Sequence, residues 1–522
     1  MNFSKFFQKI EESTILDTIL NDIINQAAEQ NFIREQVLSA ICHIVLKDSG
    51  TINIILSHTD KLKYLGIDSH VLNVLNLIKK NKDVKKNIFY KIYHKIELDQ
   101  SEIQLIVEMS LQPDSNSLNL TVILNLIKNK GLSSQNILTL SIKMAESGKI
   151  FDYRNYQKLN NKKILRRYPT GGVSEKIALI MPSLLKCIAK KYDFVSPFLV
   201  AKTLGFTGGT WDKLSSIPNF NFPNPGDESI SILAKESVCM TVAKGDYTPS
   251  DTFLYQLRSI TNTIDSLPLI ISSIASKQIA NPMDTLLLDI RYGENAFLRN
   301  LKQAQVFFRQ IKPILDKFKI NTIAEYVNTE NLYGSSIGNY LEVIESICIM
   351  KNQTSYDQFS FDFDLLQQQK DLVVSMTSKL ISTQFNVKHE DIYNLCNNSF
   401  NNLEVFESFK EILSSHTVDP NTISKINNNL PFYNNLKLKE FPIYSHKTGI
   451  IEKINQKNIG TFVNLQLEAG TNYFNTEDRL YDGILIKKKQ NSYVYEHEVI
   501  ATVFSITDID TRSLSNNFFK IT

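Results

Sequence analysis

The chain has one tryptophan and five cysteines among 522 residues, and Cys42, Cys187, Cys239, Cys348 and Cys396 form no Cys-x-x-Cys pair. An odd, scattered set excludes a disulfide framework and a zinc-binding cysteine cluster, and fits reduced thiols in the cytoplasm. The sequence contains no apolar run of about 18 residues, the length a membrane helix needs. The stretch from Met1 to Ile10 lacks the unbroken apolar core of a secretion signal. No membrane association is expected. Excess charge is also missing: 57 Lys and Arg face 54 Asp and Glu, for a net charge of +3. Without a basic run interleaved with aromatics, a nucleic-acid polymer is excluded as the expected partner. Histidine is absent from 95 to 388. Chemistry placed in that interval therefore cannot use histidine as its acid or base.

What is present is ordinary for a globular protein, with 43% hydrophobic and 21% charged residues. The length implies about two to four domains. Residues 1–87 carry apolar positions at helical spacing, among them Ile15, Ile19, Ile23 and then Val37, Ile41, Val45. This segment has no chemical motif, and we read it as a helical extension that packs on the body or binds a partner. From 88 to 150 the pattern stays helical. Asp99 or Ser101 would cap one helix, and the Leu132-Ser133-Ser134 stretch would open another. The texture then alternates. Phe194 to Val200 and Thr285 to Ile290 read as buried strands, while Lys176 to Lys191 and Asn300 to Phe318 read as helices, which gives an α/β region. Near the C-terminus, Gly449 to Ile454, Thr461 to Leu467, Arg479 to Ile486 and Tyr493 to Phe504 read as strands of a small β-rich unit.

Within the α/β region, Thr170-Gly171-Gly172-Val173 and Thr207-Gly208-Gly209-Thr210 repeat one device. Residues without Cβ let backbone N–H groups approach an oxyanion closely, and a following helix adds its N-terminal dipole. Helices are expected from Ser174 to Lys186 and from Trp211 onward. The pair of motifs reads as an anion cradle.

These motifs, together with Leu204-Gly-Phe-Thr-Gly-Gly-Thr-Trp-Asp-Lys-Leu, the stretch from Arg258 to Ile270, and Gly338-Asn-Tyr-Leu-Glu-Val, resemble the thymidine and pyrimidine-nucleoside phosphorylase family. That family includes the AMP phosphorylases and is similar in fold to anthranilate phosphoribosyltransferase. The resemblance covers 88 to 506. It implies a helical base-binding domain of 88–150 and 250–280, an α/β acceptor domain of 151–249 and 281–435 with a mixed central sheet, and a β-rich region of 436–522. It also implies a pentosyltransferase that works on a pyrimidine nucleoside or nucleotide as a homodimer, with phosphate as cosubstrate and no other cofactor or metal. The family's base-binding residues fall on Arg258, Ser273 and Lys277, with Arg258, Lys277 and Arg167 in catalytic roles. Spacing agrees, because Ser273 and Lys277 are four apart and share a helix face. Donors on the base oxygens would stabilise a pyrimidine that departs as an anion.

The implied acceptor residues are Arg167, Thr170, Gly171, Gly172, Lys202 and Thr210. Here the chain departs from the family. Arg167-Tyr168-Pro169 stands where the family has Lys-His-Ser, and Ala178 and Val200 replace serines. Phe206 replaces a histidine, and Glu294 enters a Gly-Ser-Gly-Ala-Phe motif. Arg166, Arg167, Lys176, Lys202 and Lys244 are the cations that could rebuild a phosphate site, the alternative being that they are solvated surface charge. Two other readings stay open: water activated by Glu294 or Glu175 as the acceptor, and a silent nucleoside-binding homologue.

Overall fold

The computed structural model describes residues 88–159, 161–202, 208–242, 247–432, 438–469 and 481–522. The helical reading of the first 87 residues lies outside them, as do Phe206, Lys244 and the start of the Arg479 stretch. Helices α1 (Ile88–Tyr93), α2 (Gln100–Leu111), α3 (Pro113–Lys130) and α4 (Ser134–Glu146) come first. Then follow β1 (Lys163–Pro169), α5 (Ile177–Ala189), β2 (Phe194–Val200), α6 (Thr210–Ser215), α7 (Asp227–Glu236) and β3 (Val238–Val242). Next are α8 (Pro249–Ile260), α9 (Leu267–Ala280), β4 (Thr285–Tyr292), α10 (Leu301–Asp316), β5 (Asn321–Asn328), β6 (Ser336–Ile337) and α11 (Asn339–Met350). A hairpin of β7 (Ser355–Tyr356) and β8 (Phe359–Ser360) leads to α12 (Phe363–Phe385), α13 (His389–Asn401), α14 (Glu404–Ser415) and α15 (Pro420–Asn427). The chain ends in β9 (Lys439–Tyr444), β10 (Gly449–Ile454), α16 (Gln456–Ala469), β11 (Gly483–Ile486), β12 (Tyr493–Val494), β13 (Val499–Ser505), α17 (Leu514–Phe518) and β14 (Phe519–Ile521). No helix among the described residues is long and apolar enough to cross a membrane.

The chain divides into two compact units. Among the described residues one comprises 88–150 and 247–280, and the other 151–242 and 281–522. The first is helical, and its helix starts are written in local chemistry. The Asp99 carboxylate accepts the Glu102 N–H at 3.0 Å while the Glu102 carboxylate accepts the Asp99 N–H at 2.9 Å, a reciprocal cap on α2. Ser101 supports this cap by donating its hydroxyl to Asp99 at 2.6 Å. Ser133 caps α4 by accepting the Asn136 N–H at 3.1 Å. Helix α9 is buried almost all round, as its run of Leu, Ile, Ala and Ser requires.

The second unit is built on a parallel sheet in the order β3-β2-β1-β4-β5. Helices cover such a sheet on both faces, so its strands are continuously apolar: Leu165, Phe194, Leu287 and Ile290 are buried. β2 and β3 lie on one side of β1, and β4 and β5 on the other. The direction of winding therefore reverses between β1 and β4, the position where such sheets take up ligands at strand C-termini. The loops leaving β1 and β4 meet there through a bridge between Gly172 and Ala296.

One expectation is corrected. Thr461 to Leu467 belongs to helix α16, because Ile459 and Val463 are four apart and both bury into one apolar cluster. The Thr461 hydroxyl donates to the Lys457 carbonyl one turn back at 2.8 Å, as a helix permits and a strand does not. The C-terminal strands are joined by β6, from the middle of the chain, which pairs with β11 in the sheet β6-β11-β13-β9.

Candidate functional site

In the helical unit, α8 places Asp251, Tyr255 and Arg258 at helical spacing along one face, and α9 places Ser273 and Lys277 likewise. Lys277 donates to the Ser273 hydroxyl at 3.1 Å and to the Ser273 carbonyl at 3.3 Å, and it forms an ion pair with Asp251. Its ammonium lies 5.4 Å from the centre of the Tyr255 ring, and the Arg258 guanidinium carbon lies 5.9 Å from the same ring. Arg258 is buried and donates to the carbonyls of Thr263 at 3.5 Å, Ile264 at 2.7 Å and Leu269 at 3.3 Å. It therefore ties down the link between α8 and α9 on which Ser273 and Lys277 depend. Burial pulls its pKa below the usual arginine value, while Asp251, Tyr255 and Asp265 oppose the shift.

These contacts gather Arg258, Ser273 and Lys277 in one helical unit around an aromatic face. The sequence reading had not named Asp251 or Tyr255. Asp251 is 1% exposed, and one of its carboxylate oxygens is buried without a hydrogen-bond partner. The i, i+4, i+7 spacing to Arg258 was the signal that could have found both.

In the α/β unit, the loop after β1 is set by its glycines. Gly171 has φ +94°, and a Cβ there would meet the Phe297 ring at 3.0 Å. The Thr170 N–H donates to the Asp289 carbonyl at 2.9 Å, and the Thr170 hydroxyl accepts the Arg291 N–H at 2.9 Å. The cations around this loop are not open to solvent. Arg167 is 2% exposed; one of its terminal nitrogens donates to Glu175 at 2.9 Å and pairs with Asp289 as well. Arg291 reaches the same Asp289 oxygen at 3.1 Å and lies 3.6 Å from Glu175. Lys213 donates to the Glu175 carbonyl at 2.6 Å and pairs with Glu342 at 2.8 Å.

The structure thus holds Arg167 between two carboxylates, where an incoming anion was the expected partner. The surface-charge reading is overturned for two other cations. Arg166 is buried and donates to Pro197 and Asn281. Lys176 is 0% exposed, enclosed by the Ser174 hydroxyl, the Tyr333 and Ser336 carbonyls at 3.2 and 3.0 Å, and Glu345 at 3.2 Å. Lys202 is exposed, with its ammonium 4.3 Å from the Trp211 ring centre.

The helix N-termini beyond the glycine pairs are occupied by the chain's own carboxylates. The Ala178 N–H in the first turn of α5 donates to Glu175 at 3.2 Å, and the Gly209 N–H at the start of α6 donates to Asp212 at 3.2 Å. Both helices begin differently from expectation: α5 starts at Ile177, and α6 is only 6 residues long, from Thr210 to Ser215. Beside Gly208, Ser174 and Asn339 lies a cavity of about 10 Å³, about the least that holds one water.

Neither carboxylate considered as a base for water is suited to that work. Burial alone would raise the Glu175 carboxyl, yet Arg167, Arg291 and Lys213 hold it down at about 2, which makes it a weak proton acceptor at neutral pH. The Glu294 side chain is 67% exposed and paired with Lys453, which lowers its pKa.

Comparison with known proteins finds a family domain and a set of relatives. Residues 187–374, which include strands β2 to β5 and helices α8 and α9, match the glycosyl transferase family a/b domain. Over most of its length the chain is a homologue of proteins named thymidine phosphorylase and pyrimidine-nucleoside phosphorylase. It is 28% identical to the thymidine phosphorylase of Mycoplasmoides pirum over 441 residues, 83% of this chain and 96% of that one. It is 26% identical to the pyrimidine-nucleoside phosphorylase of Geobacillus stearothermophilus over 411 residues, 78% of this chain and 89% of that one. Among solved structures, anthranilate phosphoribosyltransferase from Thermus thermophilus aligns with a TM-score of 0.46 at 9% identity, over 63% of this chain and 99% of that one.

Proposed function

We propose that the protein is a pentosyltransferase that cleaves the N-glycosidic bond of a pyrimidine nucleoside, with the helical unit binding the base and the α/β unit binding the acceptor. The observation that carries this reading is the set formed by Lys277, the Ser273 hydroxyl at 3.1 Å and the Tyr255 ring, with Arg258 at the same ring. A planar ring with two carbonyl oxygens suits an aromatic face bordered by cationic and hydroxyl donors. As the bond to C1′ breaks, negative charge develops on the base oxygens. Lys277 and Arg258 then bind the leaving group more tightly than the substrate, and that difference is what accelerates the reaction. Asp251 fixes the Lys277 ammonium, and Arg258 fixes the chain between α8 and α9, so these donors are pre-positioned. No side chain has to act as the nucleophile, because the acceptor itself attacks the sugar. The homology over most of the chain supports the same assignment.

The test is release of free base from uridine and thymidine by the full chain, followed by chromatography. The reading predicts release by the wild type and its collapse in Lys277→Ala and Arg258→Ala proteins that keep native circular dichroism. Undiminished release by folded variants would overturn the assignment of the base site.

A further inference from the structure

Beyond the reaction itself, we propose that the Lys176 ammonium is a tethered monovalent cation that positions the Thr170–Val173 loop, and that the oxygen cage around it takes up a free potassium or ammonium ion once the side chain is removed. Lys176 is 0% exposed, and its ammonium meets four oxygens: the Ser174 hydroxyl, the Tyr333 and Ser336 carbonyls at 3.2 and 3.0 Å, and a Glu345 carboxylate oxygen at 3.2 Å. An ammonium has three protons to donate, so a fourth oxygen at this distance is held by charge. The surroundings are those of an ion.

The charge of the cage fits the same reading. Its one anionic group is Glu345, itself 0% exposed and held by the N–H groups of Ser335 at 2.6 Å and Ser336 at 3.0 Å and by the Ser336 hydroxyl. One buried carboxylate is balanced by one positive charge, whereas a divalent ion would leave net charge in a medium of low dielectric constant. Carbonyl oxygens are also the donors that replace the hydration shell of a potassium ion.

The chain is shaped to this cation. Gly334 has φ +89°, and a Cβ there would lie 2.8 Å from both the Lys176 nitrogen and Glu345. Ser174 has φ +58°, in the left-handed region that serine seldom adopts, and its hydroxyl donates to the Ser336 carbonyl at 2.9 Å. Residues 174–176 leave the glycine loop directly, and Glu175 among them meets Arg167 and Arg291. The cage thus fixes the exit of that loop against the 333–336 segment. Without a cation in the cage, Glu345 would be a buried charge with no counterion, a strongly destabilising state.

The experiment uses the full chain as wild type, as Lys176→Ala, which empties the cage, and as Lys176→Met, which fills it with an uncharged chain of similar length. Thermal unfolding is followed in potassium, ammonium and tetramethylammonium chloride at one ionic strength, the last ion being too large to enter. The inference predicts that Lys176→Ala unfolds several degrees below the wild type in tetramethylammonium and regains most of that loss, saturably, in potassium or ammonium. Wild type and Lys176→Met should not distinguish the three salts. The positioning role rests on the reaction proposed above and is read by base release at a temperature where every variant is folded: release by Lys176→Ala should recover in potassium or ammonium, and release by Lys176→Met should not. A Lys176→Ala protein with one unfolding midpoint in all three salts, or one that folds in none of them, would overturn the inference and leave the reaction standing, because unfolding needs no substrate. A recovered midpoint without recovered base release would overturn the positioning role.

Discussion

The helical unit and the α/β unit treat their positive charges in opposite ways. In the helical unit Lys277 has a counterion in Asp251 and also sits with a serine hydroxyl and an aromatic ring. In the α/β unit Arg167, Arg291, Lys176 and Lys213 are each matched by a carboxylate within the fold, namely Glu175, Asp289, Glu345 and Glu342. A buried ion pair costs nearly as much desolvation as it returns in attraction, so removing one partner is far more damaging than never having had the pair. The charges near the glycine loop thus hold the loop, and those of the helical unit are the ones proposed to meet a ligand.

The largest effect that would break this contrast is on stability. Glu175→Gln leaves Arg167 and Arg291 to share the Asp289 carboxylate and is expected to cost about 3 kcal/mol in denaturant unfolding. The folded Glu175 pKa of about 2 lies below its ordinary value of 4.5, so the stabilisation is fully present above that value and is lost as pH falls from 4.5 toward 2. Unfolding midpoints measured across that range should show the slope in the wild type and a shallower one in Glu175→Gln. Equal slopes would mean that the network does not hold the loop.

Next in size, Lys277→Ala is expected to lower kcat/KM for pyrimidine release by about 10²–10³-fold, the usual cost of losing one transition-state donor. Asp251 sharpens the comparison because it acts through Lys277. Asp251→Asn should lower kcat/KM about tenfold or more through misplacement of the ammonium. Asp251→Glu should recover most of that loss, which a role in stability alone would not produce. The smallest effect is expected at Glu294, whose pair with Lys453 is exposed: Glu294→Gln should change stability by less than about 0.5 kcal/mol and leave base release unaltered.

The sequence revealed elements wherever local chemistry decides them. The caps at Asp99 and Ser133 and the apolar strands β2 and β4 follow from the residues themselves. The helix α16 did not, because its alternating stretch of Phe, Val and Leu satisfies both periods until the burial of Ile459 beside Val463 selects one. For the site, Arg258, Ser273 and Lys277 were legible through spacing and resemblance. Glu175 was named only as a base for water, and Asp289 and Glu342 were not legible, since they lie far along the chain from their partners: the parallel register of β1 with β4, which sets Arg167 beside Leu287 and Pro169 beside Asp289, brings Asp289 to Arg167, and α11 carries Glu342 to Lys213. A glycine pair followed by a helix reads as an open anion cradle until the side chain that fills it is located.

The most direct measurement is a calorimetric titration of the full chain, as wild type and as Lys277→Ala, with uracil. The account predicts saturable binding of uracil, weakened in Lys277→Ala. No binding of the base, or equal affinity in the two proteins, would contradict it.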